Sequence, residues 1–475
     1  MDEGFWYQET FFCMDCIGDS YLKKQIEESG IEAECWECKH QKLAISCEDL
    51  GERLHKVIES HYQLTPEEPE GWELYYAKEH GWDRSGDEAN YIVQEIAEVS
   101  LEIANELLEY LAEQYDPAGK DALISPSLYG DAHYVSKDQV DDYEYEYRWD
   151  NIKISIKEES RFFNHSVKDT LNVFFRNIDQ LFTHDDQPIV KTIDADTSFY
   201  RARVAHSRDE ELEILEKLPA ALGAPPSALA KPGRMNAGGI SVFYGAMSPE
   251  TCIAEVRPWV GCSVIVGKFN PVTTLKILDL SLLEKINIEG SLFDSNHIEN
   301  LARVQFLSKL VREISIPITP GAEDSEYLIT QLIAEYLQSE LGLDGILFDS
   351  VQFKNKTSES ESGSDQNLVL FKNSSLLQPY EIPSNIKIDA SFSIGDPEDP
   401  EPRYSIMEKI TSDIDEPYGS IEDFDSPSPT ITLNLKSITI HQIQGVSFLS
   451  SALPVDRYRY DPKDFVWPAK LDIKL

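Results

Sequence analysis

Basic residues are scarce in this sequence: 42 Lys and Arg stand against 85 Asp and Glu in 475 residues, a net charge of −43. Such a surface repels polyanions, which argues against bulk electrostatic binding to nucleic acid or an anionic membrane. An anionic substrate would need a local basic pocket. Long apolar runs are missing too. None approaches the ~20 residues that cross a bilayer, and the opening MDEGFWYQETFF is acidic where a secretion signal is basic. The expectation is a cytoplasmic protein without a membrane segment. No Walker-type loop, GxGxxG or HExxH occurs. Cysteines number seven, and in a reducing compartment they are expected as thiols or metal ligands, not disulfides.

Four of those cysteines form a pattern. Cys13-Met-Asp-Cys16 and Cys35-Trp-Glu-Cys38 are two CxxC pairs separated by 18 residues, the spacing of a four-cysteine zinc site. Each pair makes a knuckle that aims two thiolates at one tetrahedral ion. Four thiolates leave no open position for water, so the metal is expected to be structural. Residues 1–45 are expected to form a zinc ribbon with a short helix over SYLKKQIEES.

Residues 46–185 read as a mainly helical domain. Ile92, Ile96, Val99, Ile103, Leu107 and Leu111 recur at threes and fours and predict one helix over about 88–114, with Asp87 and Glu88 as its capping start. Residues 151–182 predict one or two more. From about 190 the texture changes to short strand-like runs (SVFYGA, SVIVGKF, LKILDL, DGILFDS, NLVLF) with amphipathic helices near 296–313 and 325–341. This predicts an α+β domain over 190–380. The Asp, Glu, Pro and Ser content of 383–430 predicts an acidic flexible loop or linker. The alternating run TITLNLKSITIHQI (430–443) predicts a strand, and the tail 431–475 is expected to pack back on the α+β domain.

Chemistry concentrates in 199–258. Arg201, Arg203, Arg208, Arg234 and Arg257 are five of the chain's 15 arginines, and arginine suits bidentate phosphate binding. The ordered pieces are Tyr200-Arg201, Gly233-Arg234-Met235-Asn236, Tyr244, Glu255, a strand ending at Ser350, and Asn367-Leu-Val-Leu-Phe371. In this order, over about 195–375, they resemble the RES domain, named for its Arg, Glu and Ser. The resemblance implies an ADP-ribosyltransferase-like fold that binds NAD and cleaves it by hydrolysis or phosphorolysis, as in the toxins of toxin–antitoxin pairs. The zinc module and helical region are similar to the HEPN-related regions sometimes fused to RES domains. Arg161 and His165 resemble a HEPN nuclease pair, but with three residues between them, one short of the usual spacing. An effector of stress or phage defence, held in check by an antitoxin or another protein, is what this architecture implies. Homo-oligomerisation is the default expectation for its assembly.

The residue chemistry agrees with the resemblance. Breaking the nicotinamide bond passes through an oxocarbenium-like state, for which Glu255 is the candidate carboxylate. Arg201, then Arg234, suit the pyrophosphate. Tyr244 offers a ring face to the cationic nicotinamide. Ser350 is expected to hold the nicotinamide ribose, Asn367 to position the substrate or brace its strand, Tyr200 to contact NAD, and Asn236 to shape its turn. Arg203 is placed on the opposite side of the strand from Arg201, in a structural role. Two alternatives stay open: an ADP-ribosyltransferase acting on a protein, and a catalytically degenerate binding or sensing protein.

Overall fold

Apolar residues gather into separate cores that do not follow the texture of the sequence. The computed structural model describes residues 10–69, 71, 75, 82–118, 125–137, 140–159, 164–315, 323–352, 365–380, 382, 385–394, 402–410 and 428–447.

The N-terminal part contains β1 (Phe11–Cys13), α1 (Ser20–Ser29), β2 (Ile31–Glu34), β3 (Gln41–Ser46), α2 (Cys47–His61), β4 (Tyr62–Leu64), β5 (Asp87–Glu88), α3 (Ala89–Ala97), α4 (Leu101–Tyr115) and β6 (His133–Ser136). The strands pair as β1-β3-β2 and β4-β6-β5. Phe12, Leu22 and Ile26 share one core with Leu54, Ile92, Leu107 and Tyr134. The cysteine segment therefore shares its core with the helices that follow it. The single helix expected over 88–114 is two helices. Glu98 turns left-handed at φ 49 and ends the first, and Ser100 caps the second by accepting from the Ile103 N–H. Val99, between them, bridges to Ile17. Asp87 and Glu88 sit in a strand, and Glu88 makes no side-chain cap.

α5 (Tyr143–Ile154) and α6 (His165–Phe174) carry the chain to β7 (Phe182–Thr183), β8 (Val190–Ile193) and β9 (Phe199–Ala205). α7 (Arg208–Glu216), α8 (Leu218–Leu222), β10 (Phe243–Ala246), α9 (Pro249–Glu255), β11 (Ser263–Pro271), β12 (Leu275–Asp279) and β13 (Ile286–Asn287) follow. Then come α10 (Ser295–Ser315), α11 (Glu323–Ser339), β14 (Gly345–Asp349), β15 (Gln366–Leu370), β16 (Ile386–Ile394), β17 (Pro402–Ile410) and β18 (Ile431–Gln442). Trp149 and Phe174 pack with Phe306, Leu310 and Leu337, and the Phe174 and Phe306 rings lie 4.5 Å apart. Helices α5 and α6 thus belong to the core of the α+β part, not to the helical domain in which their composition placed them. Arg161 lies outside the described residues; His165 is exposed at the start of α6.

Eight strands form the main sheet in the order β18-β11-β9-β10-β15-β14-β12-β8, antiparallel except for β12 beside β14. Phe199, Phe243 and Phe269 meet α7 and α8 on one face through Leu215 and Leu222. Ala202, Ala246 and Val264 meet Cys252 of α9 in another cluster. The strand expected over TITLNLKSITIHQI (430–443) is β18, paired with β11. The acidic stretch holds more order than its composition suggests, because β16 and β17 pair as an antiparallel hairpin. Arg208 of α7 anchors it, its guanidinium 3.7 Å from the Phe392 ring and 5.2 Å from that of Tyr404, while the Tyr404 hydroxyl donates to Glu211 at 2.6 Å. Most of 354–366 and the aromatics Tyr458, Tyr460, Phe465 and Trp467 lie outside the described residues. No helix among the described residues is long and apolar enough to cross a membrane.

Candidate active site

β9 and β10 share a single ladder pair, Ala246 with Tyr200. Ala202, Arg201, Tyr244 and Gly245 of these two strands line a cleft of about 510 Å³. Arg234, Glu255, Arg257, Tyr327, Phe348 and Asn367 complete much of its wall.

Glu255 ends α9, a helix started by Ser248, whose hydroxyl accepts from the Thr251 N–H, and by Pro249 at the first turn. A carboxylate at a helix C-terminus faces the negative end of the backbone dipole, so it needs donors. Two are supplied. Ser350 Oγ donates to Glu255 Oε1 at 2.6 Å, and Asn367 Nδ2 donates to the same oxygen at 2.8 Å. Ser350 Oγ in turn accepts from the Gln352 N–H at 3.2 Å. Ser350 is buried at the end of β14 and Asn367 is buried on β15, so adjacent strands hold the carboxylate from below. The described contacts of Glu255 leave its Oε2 without a partner. Asn367 Oδ1 is a buried acceptor that also lacks one.

Arg201 is part-buried. Its Nη1 donates to Gly223 O at 2.6 Å and its guanidinium lies 5.2 Å from the Phe243 ring. No carboxylate pairs with it among the described residues. Burial pushes the guanidinium down to about 10, so it remains cationic at neutral pH. Arg203 does not point away from Arg201. Two residues apart on a strand means one face, not two, and Arg203 Nη1 reaches Ala221 O, near the Arg201 acceptor, at 3.2 Å.

The segment 233–240 is a turn built on its own side chains. Asn236 Nδ2 donates to the carbonyls of Lys231, Ala237 and Ile240, and Asn236 Oδ1 accepts from the Tyr244 hydroxyl at 2.8 Å. Burial pushes the Tyr244 phenol up to about 12, which keeps it a donor. A Cβ at Gly233 would sit 2.8 Å from both Asn236 Oδ1 and Tyr244 Oη, so only glycine fits there. Helix α11 clamps the turn from outside. Gln331 Nε2 donates to Gly233 O and Asn236 O, and Thr330 Oγ1 donates to Arg234 O. Tyr200 does not line the cleft; it packs against the Ala202, Ala246 and Cys252 cluster under α9.

Sequence reasoning missed Tyr327, Phe348, Gln331 and Thr330, whose helical or strand positions carry no local signal of a site. Arg257, counted only as one arginine among five, stands at φ 47 immediately beyond α9, a conformation that costs free energy in a non-glycine residue.

The four cysteines form a second site. Cys13 Sγ lies 3.6 Å from Cys16 Sγ and 3.7 Å from Cys38 Sγ, and Cys35 Sγ lies 3.8 Å from Cys16 Sγ. A tetrahedron with zinc–sulfur arms of about 2.3 Å has edges of about 3.8 Å, so the donor set fits that ion. Ser100 Oγ, donating to Glu37 at 2.8 Å, ties the second knuckle to α4.

Residues 199–388 match the family model of the RES domain. No curated protein and no solved structure matches the chain.

Proposed function

From the premise that this chain carries a RES domain, we propose that its cleft binds NAD and breaks the bond between nicotinamide and ribose. The observation that carries this reading is Glu255. Its carboxylate is fixed through one oxygen by Ser350 and Asn367, in a cleft that Arg201, Arg234 and Arg257 also line. The rest of the chain is strongly acidic. Cations gathered against that background are expected to meet an anion, and a pyrophosphate suits guanidinium groups.

The chemistry follows from charge. The C1′–N1 bond breaks with its electron pair going to nicotinamide, which leaves neutral, and positive charge develops on the ribose. Glu255 stabilises that charge at close range. Ser350, whose hydroxyl proton is committed to Glu255, acts as a positioning residue rather than a ribose ligand. The open acceptor Asn367 Oδ1 suits a ribose hydroxyl or the nicotinamide amide. An incoming acceptor then bonds to C1′ and gives up its proton. In a cell, turnover would deplete NAD, the behaviour of a toxin or a defence effector, which requires restraint by an antitoxin or another inhibitory protein.

One observation favours transfer to a protein as the second reading. The segment just after Arg257 exposes Trp259 and Val260, 50% and 59% accessible. NAD labelled in the adenylate separates the readings: the first puts label in free ADP-ribose or its phosphate, the second in macromolecule. Label that stays in NAD under both assays removes both.

We also propose that Cys13, Cys16, Cys35 and Cys38 hold one structural zinc. Elemental analysis of the full chain is expected to give about one zinc per chain. The variant Cys38→Ser is expected to lose the metal and melt at a lower temperature, since binding energy at such a site is folding energy. Equal melting with and without metal would contradict this.

A further inference from the structure

Another polar pocket lies between the segment that follows α6, the ribbon formed by β7 and β13, and α10, and it shares no residue with the cleft. Its volume is about 540 Å³, in the range of small-molecule sites. Two guanidinium groups line it, Arg176 and Arg303.

Arg303 is only 3% exposed. Its Nη1 donates to the carbonyls of Phe174 and Arg176, at 3.2 and 2.9 Å, which caps the end of α6. Its Nε is buried with no partner, and no carboxylate pairs with it among the described residues. Arg176 stands beside it, half exposed, with one amide contact to Asn300 Oδ1 at 3.3 Å and one distant carboxylate, Glu299 at 3.7 Å. Two cations facing one pocket repel each other, most strongly where water is thin. A buried donor without an acceptor adds a further cost. An anion placed between the two guanidinium groups would relieve that repulsion.

The other walls narrow the class of ligand. Among the described residues, Glu289 is the one carboxylate that lines the pocket beside Arg176 and Arg303, so this lining is net positive in a chain of −43. Asn177, Gln180 and Asn287 offer amides that donate and accept. Phe182 presents an aromatic ring that is 46% exposed, opposite Asn287 on the ribbon. A phosphate for the guanidiniums, amides for ring heteroatoms and an aromatic shelf together match a nucleotide.

We infer that this pocket binds a mononucleotide-sized phosphomonoester, its phosphate on Arg176 and Arg303 and its base against Phe182, at a site separate from the NAD cleft. This stands on the pocket alone and does not depend on the activity proposed for Glu255.

Calorimetric titration of the full chain with AMP, inorganic phosphate and adenosine tests it. Because AMP resembles half of NAD, the titrations use the Arg201→Met background, which weakens the cleft. AMP is expected to bind there more tightly than phosphate or adenosine. Adding Arg176→Glu, or in a separate protein Gln180→Glu, is expected to weaken AMP binding on the order of tenfold or more. Circular dichroism confirms that each variant is folded, and the exposed Gln180 position serves if Arg176→Glu is not. The inference is overturned if AMP does not bind in the Arg201→Met background, or if phosphate or adenosine binds as tightly as AMP. It is equally overturned if a folded pocket variant binds AMP like its parent.

Discussion

Replacing Glu255 with glutamine is expected to slow nicotinamide release from NAD by about 10²–10³-fold while leaving NAD affinity nearly unchanged. Glutamine keeps the length and shape of the side chain. Its carbonyl oxygen can still accept from Ser350 Oγ and Asn367 Nδ2, which hold Glu255 at 2.6 and 2.8 Å. What it removes is the negative charge, and that charge matters most when the ribose becomes cationic. The loss should therefore fall on the chemical step rather than on binding. Single-turnover nicotinamide release, set beside calorimetric NAD binding, reads the two separately. A parallel loss in both would assign Glu255 to binding and remove its proposed role.

Arg201→Met is expected to act in the opposite way, weakening NAD binding by roughly 30- to 1,000-fold with little harm to the fold. Arg201 is a desolvated cation with one carbonyl acceptor, Gly223 O, and no carboxylate partner among the described residues. Methionine fills a similar volume beside Phe243 without that charge. Losing one hydrogen bond costs about 1 kcal/mol, and relief of desolvation offsets it. The thermal midpoint should move by no more than a few degrees. Calorimetric binding and a melting curve on the same preparation check both halves. A collapse of stability would mean that Arg201 is a structural residue.

Much of the site could be read from the sequence because its parts sit on elements with strong local signals. SVIVGKF, LKILDL and NLVLF are short apolar runs bounded by turns, and each is a strand of the main sheet. Glu255, Arg201, Arg234, Tyr244 and Asn367 then fall on one cleft. What stayed hidden depends on tertiary contact. Thr330 and Gln331 look like ordinary helix positions, yet they clamp the Gly233 turn from 95 or more residues away. The β16–β17 hairpin is hidden by Asp389, Glu408 and neighbouring charges, and its anchor, the Arg208 guanidinium over the adjoining Phe392 and Tyr404 rings, is a tertiary contact. Helices α5 and α6 have no sequence mark that assigns them to α10 rather than α4; the Phe174–Phe306 contact does. From the sequence Ser350 reads as a ribose ligand, because a strand-end hydroxyl says nothing about its partner. Its partner is Glu255.

The most direct test of the central claim follows intact NAD and free nicotinamide over time with the purified full chain and its Glu255→Gln variant. The wild type is expected to release one nicotinamide for each NAD consumed, while the variant binds NAD and releases nicotinamide about 10²–10³-fold more slowly. Equal release by both proteins, or NAD bound by the wild type and never cleaved, would contradict it.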